Sequence, residues 1–98
     1  MNPRILAISG PLKGSEFIIG EADLNIGRGT RNHVSLDDPL VSPRHCSLSF
    51  EYDRCLLLDR ASDHGTFVNE FSFPAKVILH GDHIRLFIFW TRKSMSEC

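Results

Sequence analysis

Short apolar segments, each followed by a turn-forming group rich in Gly, Pro, Asp or Asn, recur along the 98-residue chain. Several of them alternate apolar and polar residues, as Cys46, Leu48 and Phe50 do with Ser47 and Ser49. That period of two places successive side chains on opposite faces of a strand. No segment keeps a helical period over a useful length. The pattern predicts strands at residues 4–8, 15–19, 24–26, 34–36, 46–50, 55–58, 67–68, 77–79 and 84–90.

Many short strands at regular spacing favour an all-β fold, either a sandwich of two sheets or a barrel. The length suits one domain, so we expect a single domain over residues 1–98 with its core at about 4–91. Hairpin turns are expected at residues 51–54 and 80–83, and the apolar run 55–58 is expected to be a strand that is covered on both faces or crosses the core. The polar residues 91–98 are expected to fray.

Composition argues against several classes of function. The formal net charge is −1, so any anion site must be local, and no basic stripe interleaves with aromatic residues as nucleic-acid binding would require. The longest run of large apolar residues, 86–90, is far too short to cross a bilayer, and no signal peptide is visible. The three cysteines form no close pair, which favours a reduced, cytoplasmic protein, although a Cys46–Cys55 bridge remains an alternative.

Three polar loops follow predicted strands, at residues 27–29, 41–45 and 62–66. Loops at one end of a β scaffold are a common place for binding, so we expect these three to meet. Arg28 lies between two glycines, where the backbone can bend sharply, and its guanidinium can pair with phosphate through two hydrogen bonds. Ser42 adds a hydroxyl donor and Arg44 a second cation. The loops together predict an anion-binding face.

Other chemistries have weaker support in the sequence. Ser42, His45 and Asp59 could be written as a catalytic triad, but they lack the nucleophile-elbow context, and Cys46 lies on the core-facing side of a predicted strand. His80 and His83 flank a tight turn without a second ligand pair, so no metal site and no cofactor are predicted. We therefore expect a binding module, not an enzyme.

Four motifs, taken in order, resemble the pattern of the forkhead-associated (FHA) domain. They are Gly27-Arg28, then Ser42-Pro43-Arg44-His45, then Gly65-Thr66-Phe67-Val68-Asn69, and finally residues 79–84 with Gly81-Asp82. The resemblance covers nearly the whole chain. It implies an FHA-like β-sandwich of two mostly antiparallel sheets, with loops at one end that recognise phosphothreonine in a partner protein.

The resemblance also implies a role for individual residues. Arg28 would bind the phosphate and Ser42 would donate a second hydrogen bond to it. Residues expected to contact the peptide are Arg31, Arg44, Asp63 and His64. Residues expected to support the loops are Gly27, His45, Gly65, Thr66 and Asn69, with the His45 ring buried and donating to backbone.

Two positions depart from the family pattern. His64 stands where the family usually has the Asn that bonds the peptide backbone, and Asp63 stands where Ser or Thr often reaches for the phosphate. A carboxylate facing inward there would repel a dianionic phosphate by up to about 4 kcal/mol before screening. These departures motivate an alternative function, a phosphate-independent protein-interaction module with a degenerate phosphate site.

The resemblance finally implies a regulatory setting. FHA domains usually sit inside larger signalling proteins such as kinases, transcription regulators or secretion components, so the chain is expected to be a fragment of one. Its partner would be a phosphothreonine-containing protein, or another segment of the host, and a Ser/Thr kinase would act upstream. Neither nucleic acid nor membrane is an expected partner of this domain.

Overall fold

The computed structural model describes residues 2–8, 12–86 and 94–97, which form strands and no helices. None of these residues therefore belongs to a helix that could cross a membrane. The strands are β1 (Arg4–Ala7), β2 (Glu16–Ile18), β3 (Leu24–Gly27), β4 (Val34–Ser35), β5 (Cys46–Glu51), β6 (Arg54–Asp59), β7 (Phe67–Val68), β8 (Phe71–Ser72), β9 (Ala75–Ile78), β10 (His83–Arg85) and β11 (Ser94–Glu97).

The strands form two sheets. One sheet has the order β2-β1-β11-β10-β7-β8 and the other has the order β4-β3-β5-β6-β9. The pairs are antiparallel except β3 with β4, which runs parallel. The predicted β-sandwich of two mostly antiparallel sheets is confirmed.

The core lies between the two sheets. Ile26, Leu48 and Leu57 come from the five-stranded sheet, Ile5 and Ile84 come from the six-stranded sheet, and all five are fully buried. Each such side chain contributes about 1.5–3 kcal/mol to folding through burial. The core thus fixes the relative position of the strand ends from which the polar loops emerge.

Strand β6 is covered less completely than its apolar sequence predicted. Cys55 and Leu57 are buried, whereas Leu56 and Leu58 are only half-buried on the other face. The alternative of cover on both faces is wrong because β6 belongs to a two-layer sandwich, in which one face of each sheet is exposed to solvent.

The expected hairpin at residues 80–83 is also wrong. Strand β9 pairs with β6 in the five-stranded sheet, whereas β10 pairs with β7 and β11 in the six-stranded sheet, so this turn passes from one sheet to the other. Turn residues show where the chain reverses, but they do not show which sheet it enters next. Strand β8 was not predicted from the sequence, and both of its residues are exposed, so it adds no side chain to the core.

The carboxyl end differs from expectation as well. Residues 94–97 form β11, which pairs with β1 on one side and β10 on the other, so the prediction that this segment frays is wrong. Its backbone pairs with two neighbouring strands, and this pairing orders the segment although its sequence is polar. Of the predicted strand 84–90, residues 87–90 lie outside the described residues.

Cys46 and Cys55 are both buried, and no disulfide joins them. Cys46 lies opposite Asp59 and Cys55 lies opposite Phe50, so the two cysteines are not paired across β5 and β6. Burial raises the pKa of the Cys46 thiol to about 12, which keeps it protonated and unreactive near neutral pH.

We predict that a chain truncated after Lys93 loses its cooperative thermal transition, because removal of β11 separates β1 from β10 and exposes two unpaired strand edges. Circular dichroism across a temperature ramp would measure this. A chain lacking only Cys98 serves as the control. A truncated chain that melts like the full one would show that β11 does not contribute to stability.

Candidate functional site

The strand register gathers the polar loops at one end of the sandwich. Ile26 near the end of β3 lies opposite Cys46 at the start of β5, which in turn lies opposite Asp59 at the end of β6. The first loop (28–33), the second loop (36–45) and the third loop (60–66) therefore emerge side by side. The prediction that the three loops lie together is confirmed by this geometry.

The first and second loops are in direct backbone contact. The Arg28 N–H donates to the Ser42 carbonyl at 3.0 Å, and the Gly29 N–H donates to the Pro43 carbonyl at 3.2 Å. A Cβ at Gly27 would lie only 2.4 Å from the Pro43 oxygen, which leaves no room for a side chain. Gly27 is thus needed for close approach of two backbone segments.

Asn32 was not identified from the sequence, although it reinforces this contact. Its Nδ2 donates to the carbonyl oxygens of Gly29 at 2.7 Å and Pro43 at 2.8 Å. An Asn in a polar loop carries no sequence signal of a bond to a residue eleven positions away. Only the spatial arrangement of the two loops shows it.

His45 joins the second loop to the third. The ring is fully buried, its Nδ1 accepts a hydrogen bond from the Ser42 N–H at 3.1 Å, and its Nε2 donates to the Gly65 carbonyl at 2.8 Å. Its backbone N–H donates to Ile26 O, and its carbonyl accepts from the Arg60 N–H. One side chain therefore sets the spacing between two loops.

These two ring contacts require the neutral imidazole with its proton on Nε2, since Nδ1 faces an N–H donor. Burial lowers the pKa of His45 below its ordinary value, although the Gly65 carbonyl and Asp59 oppose that shift. The same contacts exclude a catalytic triad, because neither nitrogen is available to take a proton from the Ser42 hydroxyl.

Asp59, at the end of β6, holds the third loop in place through hydrogen bonds. Its Oδ1 accepts hydrogen bonds from the Ser62 Oγ at 2.6 Å and the Thr66 Oγ1 at 2.7 Å, and its Oδ2 accepts from the Ser62 N–H at 3.1 Å. The Ser62 Oγ in turn accepts from the Gly65 N–H at 3.0 Å. Burial would raise the pKa of Asp59, but these hydrogen bonds lower it below its usual value. Asp59 is thus a loop-supporting residue.

Arg28 and Ser42 lie next to each other with donors available. The Ser42 Oγ accepts the Asp63 N–H at 2.9 Å, so its own proton is free to donate elsewhere. Arg28 is half-buried, and its Nη1 makes only a long 3.4 Å hydrogen bond with the Pro39 carbonyl. A hydroxyl and a weakly engaged guanidinium on two residues in backbone contact are groups that can bind an oxyanion.

The residues expected to contact a peptide are exposed on the same loops. Arg31 lies on the first loop, Arg44 on the second, and Asp63 and His64 on the third. None of the four side chains forms an ion pair within the part of the chain that the structure describes.

Comparison with known proteins agrees with this architecture. Residues 24–87 match the family model of the FHA domain. The chain belongs to the FHA domain family. The resemblance read from the four sequence motifs is therefore confirmed, and it extends over the strands and loops that carry Arg28, Ser42 and His45.

Curated relatives of this FHA domain include bacterial regulators. Glycogen accumulation regulator GarA of Mycobacterium tuberculosis strain H37Rv is 32% identical over 77 residues, which are 79% of this chain and 48% of the relative. The oxoglutarate dehydrogenase inhibitor of Corynebacterium glutamicum is 31% identical over 77 residues, which are 79% of this chain and 54% of the relative. The chain thus spans about half the length of the curated relatives it matches.

Solved FHA domains superpose over almost the entire chain. A structure from a structural and functional analysis of phosphothreonine-dependent FHA domain interactions has a TM-score of 0.85 and 27% identity, covering 99% of this chain and 95% of that one. The FHA domain of the CT664 protein of Chlamydia trachomatis has a TM-score of 0.86 at 15% identity, covering 99% of this chain and 96% of that one. The second likeness supports the fold alone.

Asn69 supports a different part of the FHA domain from the three loops. Its Nδ2 donates to the Asp82 Oδ1 at 2.8 Å, and its Oδ1 accepts from the His83 N–H at 3.0 Å. Asn69 and Glu70 both have positive φ, 50° and 80°, in the turn between β7 and β8. Asn tolerates this conformation better than most residues. It connects that turn to the turn between β9 and β10.

Two histidines lie at the turn between β9 and β10. His80 and His83 are both exposed. Among the residues that the structure describes, no group of three or more His, Cys, Asp or Glu side chains is placed to hold a metal ion.

We predict that Gly27→Ala lowers the free energy of unfolding by about 1–3 kcal/mol, because the new methyl group would clash with the Pro43 carbonyl. Urea unfolding measures the change. Gly20→Ala is the matched control, since the nearest atom to a Cβ there is 3.8 Å away. Equal stability of the two variants would contradict the close contact between the loops.

We further predict that stability falls as the pH drops below about 6.5, where the unfolded chain protonates His45 but the folded chain resists protonation. This contribution is fully present above that pH. Urea unfolding between about pH 5 and 8 would reveal the slope. In His45→Gln, that part of the slope should disappear, and an unchanged slope would show that another group causes it.

Proposed function

We propose that this FHA domain binds a phosphothreonine-containing segment of a partner protein, or of another part of its own host, and performs no catalysis. The observation that carries the proposal is the pairing of Arg28 with Ser42. The two residues are joined by a 3.0 Å backbone hydrogen bond, and both have donor groups available. The phosphothreonine-dependent interactions of a structurally similar FHA domain support the assignment.

In the proposed complex, Arg28 supplies charge-assisted hydrogen bonds to the phosphate oxygens. Little is lost when its guanidinium moves, because the 3.4 Å bond with Pro39 is weak. Ser42 donates its hydroxyl proton. That hydroxyl is already oriented, because one lone pair accepts the Asp63 N–H.

The loop network makes this site ready to bind before the ligand arrives. His45 holds the second loop against the third, and Asp59 holds Ser62 and Thr66 in the third loop. Ordering loops on binding costs free energy, so a site whose loops are already fixed retains more of its contact energy as affinity. Small sites of this kind bind with micromolar affinity, about −7 to −8 kcal/mol.

The flanking peptide would meet the exposed residues of the loops. Arg31 and Arg44 present cations on the first and second loops, and His64 presents two ring nitrogens on the third. The peptide ligand is the product of a Ser/Thr kinase. Because the curated relatives are a regulator and an enzyme inhibitor, we propose a regulatory role in the cytoplasm for the protein that contains this domain.

We predict that Arg28→Ala weakens phosphothreonine-peptide binding by about tenfold to a hundredfold, since it removes a charge-assisted pair. A library of phosphothreonine peptides, with phosphoserine and unphosphorylated versions beside it, supplies the ligands. Titration calorimetry on the selected peptide measures the effect. The melting temperature should be unchanged, because the Arg28 backbone contacts remain.

Arg54→Ala is the matched control, since Arg54 is an exposed arginine at the start of β6, at the opposite end of the sandwich. Equal losses in both variants would contradict the assignment of Arg28. Retention of unphosphorylated peptides by the folded protein, with Arg28→Ala without effect, would identify the phosphate-independent alternative.

A further inference from the structure

Arg28 and Asp63 carry opposite charges and are both anchored to Ser42. The Arg28 backbone N–H donates to the Ser42 carbonyl at 3.0 Å, and the Asp63 backbone N–H donates to the Ser42 Oγ at 2.9 Å. These anchors use main-chain atoms, so both side chains remain available. No ion pair joins the two side chains within the described residues. The site therefore carries one cationic and one anionic side chain, each on a residue whose backbone N–H bonds to Ser42.

The Asp63 carboxylate lies near the Ser42 hydroxyl that would hold the phosphate. Its oxygens can be no farther than about 5 Å from their own backbone nitrogen, which places them within about 8 Å of the Ser42 Oγ. That distance is about one screening length at physiological ionic strength. The same charge acts on His45, where it opposes the lowering of the pKa by burial.

A bound phosphate would therefore be attracted by Arg28 and repelled by Asp63. The repulsion is relieved if the ligand itself brings a cation to the carboxylate. We propose that Asp63 determines specificity, so that the domain selects phosphothreonine segments with Lys or Arg beside the phosphothreonine and disfavours Asp or Glu there. This inference rests on the proposed phosphothreonine binding.

The preference should be confined to one side of the segment. Arg31 and Arg44 are exposed on the first and second loops, where they favour acidic residues of a ligand. Asp63 is on the third loop, so it acts on the ligand residues that meet that loop. The sign of the charge preference should consequently change along the segment.

The test uses one phosphothreonine peptide in which each of the three positions before and after the phosphothreonine is in turn Lys, Gln or Glu. Fluorescence anisotropy gives dissociation constants for the unmodified protein, Asp63→Asn and Asp53→Asn. The first variant removes the charge but keeps the backbone N–H that bonds Ser42. The second is the matched control, since Asp53 is exposed at the opposite end of the sandwich, and its φ of 59° is one that Asn adopts readily.

At low salt, Lys should bind more tightly than Glu by about two- to fivefold at one or more positions on one side of the phosphothreonine. Asp63→Asn should abolish that preference and lower the dissociation constants of the Gln peptides. Asp53→Asn should change neither the preference nor those dissociation constants. Addition of about 0.5 M salt should weaken the preference.

An identical preference in Asp63→Asn, or a preference for Glu at every position, would overturn the assignment of Asp63 while leaving phosphothreonine binding intact. Failure of the folded protein to bind any of the phosphorylated peptides would overturn the proposed function, and the role of Asp63 with it. The two failures are therefore distinguishable.

Discussion

The loop end of this domain depends on the two hydrogen bonds that the buried, neutral ring of His45 makes. It accepts the Ser42 N–H on one side and donates to the Gly65 carbonyl on the other. The buried Ser42 N–H is satisfied in this way, and leaving it unpaired would cost about 1–3 kcal/mol. Because the ring is rigid, it also fixes the distance between the second and third loops, and so the place of Ser42 relative to the loop that carries Asp63 and His64.

The site is a local charge arrangement on a nearly neutral molecule. The net charge is −1, so attraction for an anion must come from where individual residues are placed. The β3–β5–β6 register brings Arg28, Ser42 and the third loop together, and Asp59 holds that loop through the Ser62 and Thr66 hydroxyls. The polar side-chain atoms of Asp59 and His45 form hydrogen bonds within the loops. Two residues that resemble members of a catalytic triad therefore hold the loops in position here.

Where sequence reasoning failed, the cause was contact between distant segments. The turn chemistry of Gly81 and Asp82 was read correctly as a turn, but the chain continues into the other sheet, because β10 pairs with β7 and β11. Polar composition predicted that residues 94–97 fray, yet β11 is an interior strand because β1 and β10 are both available to pair with it. Asn32 could not be identified from the sequence, because its role is a hydrogen bond to the Pro43 carbonyl on another loop.

The sequence by itself determined that the chain is all-β, because alternation of apolar and polar residues is a local property that any strand must show to bury one face. It also determined the family, through motifs whose order and spacing are written in the chain. Only the tertiary structure decided that Gly27 lies against Pro43, that both His45 nitrogens are occupied, and that Arg28 and Asp63 both bond to Ser42 through their backbone N–H groups. Those facts depend on strand register and loop packing, which bring together residues far apart in the chain.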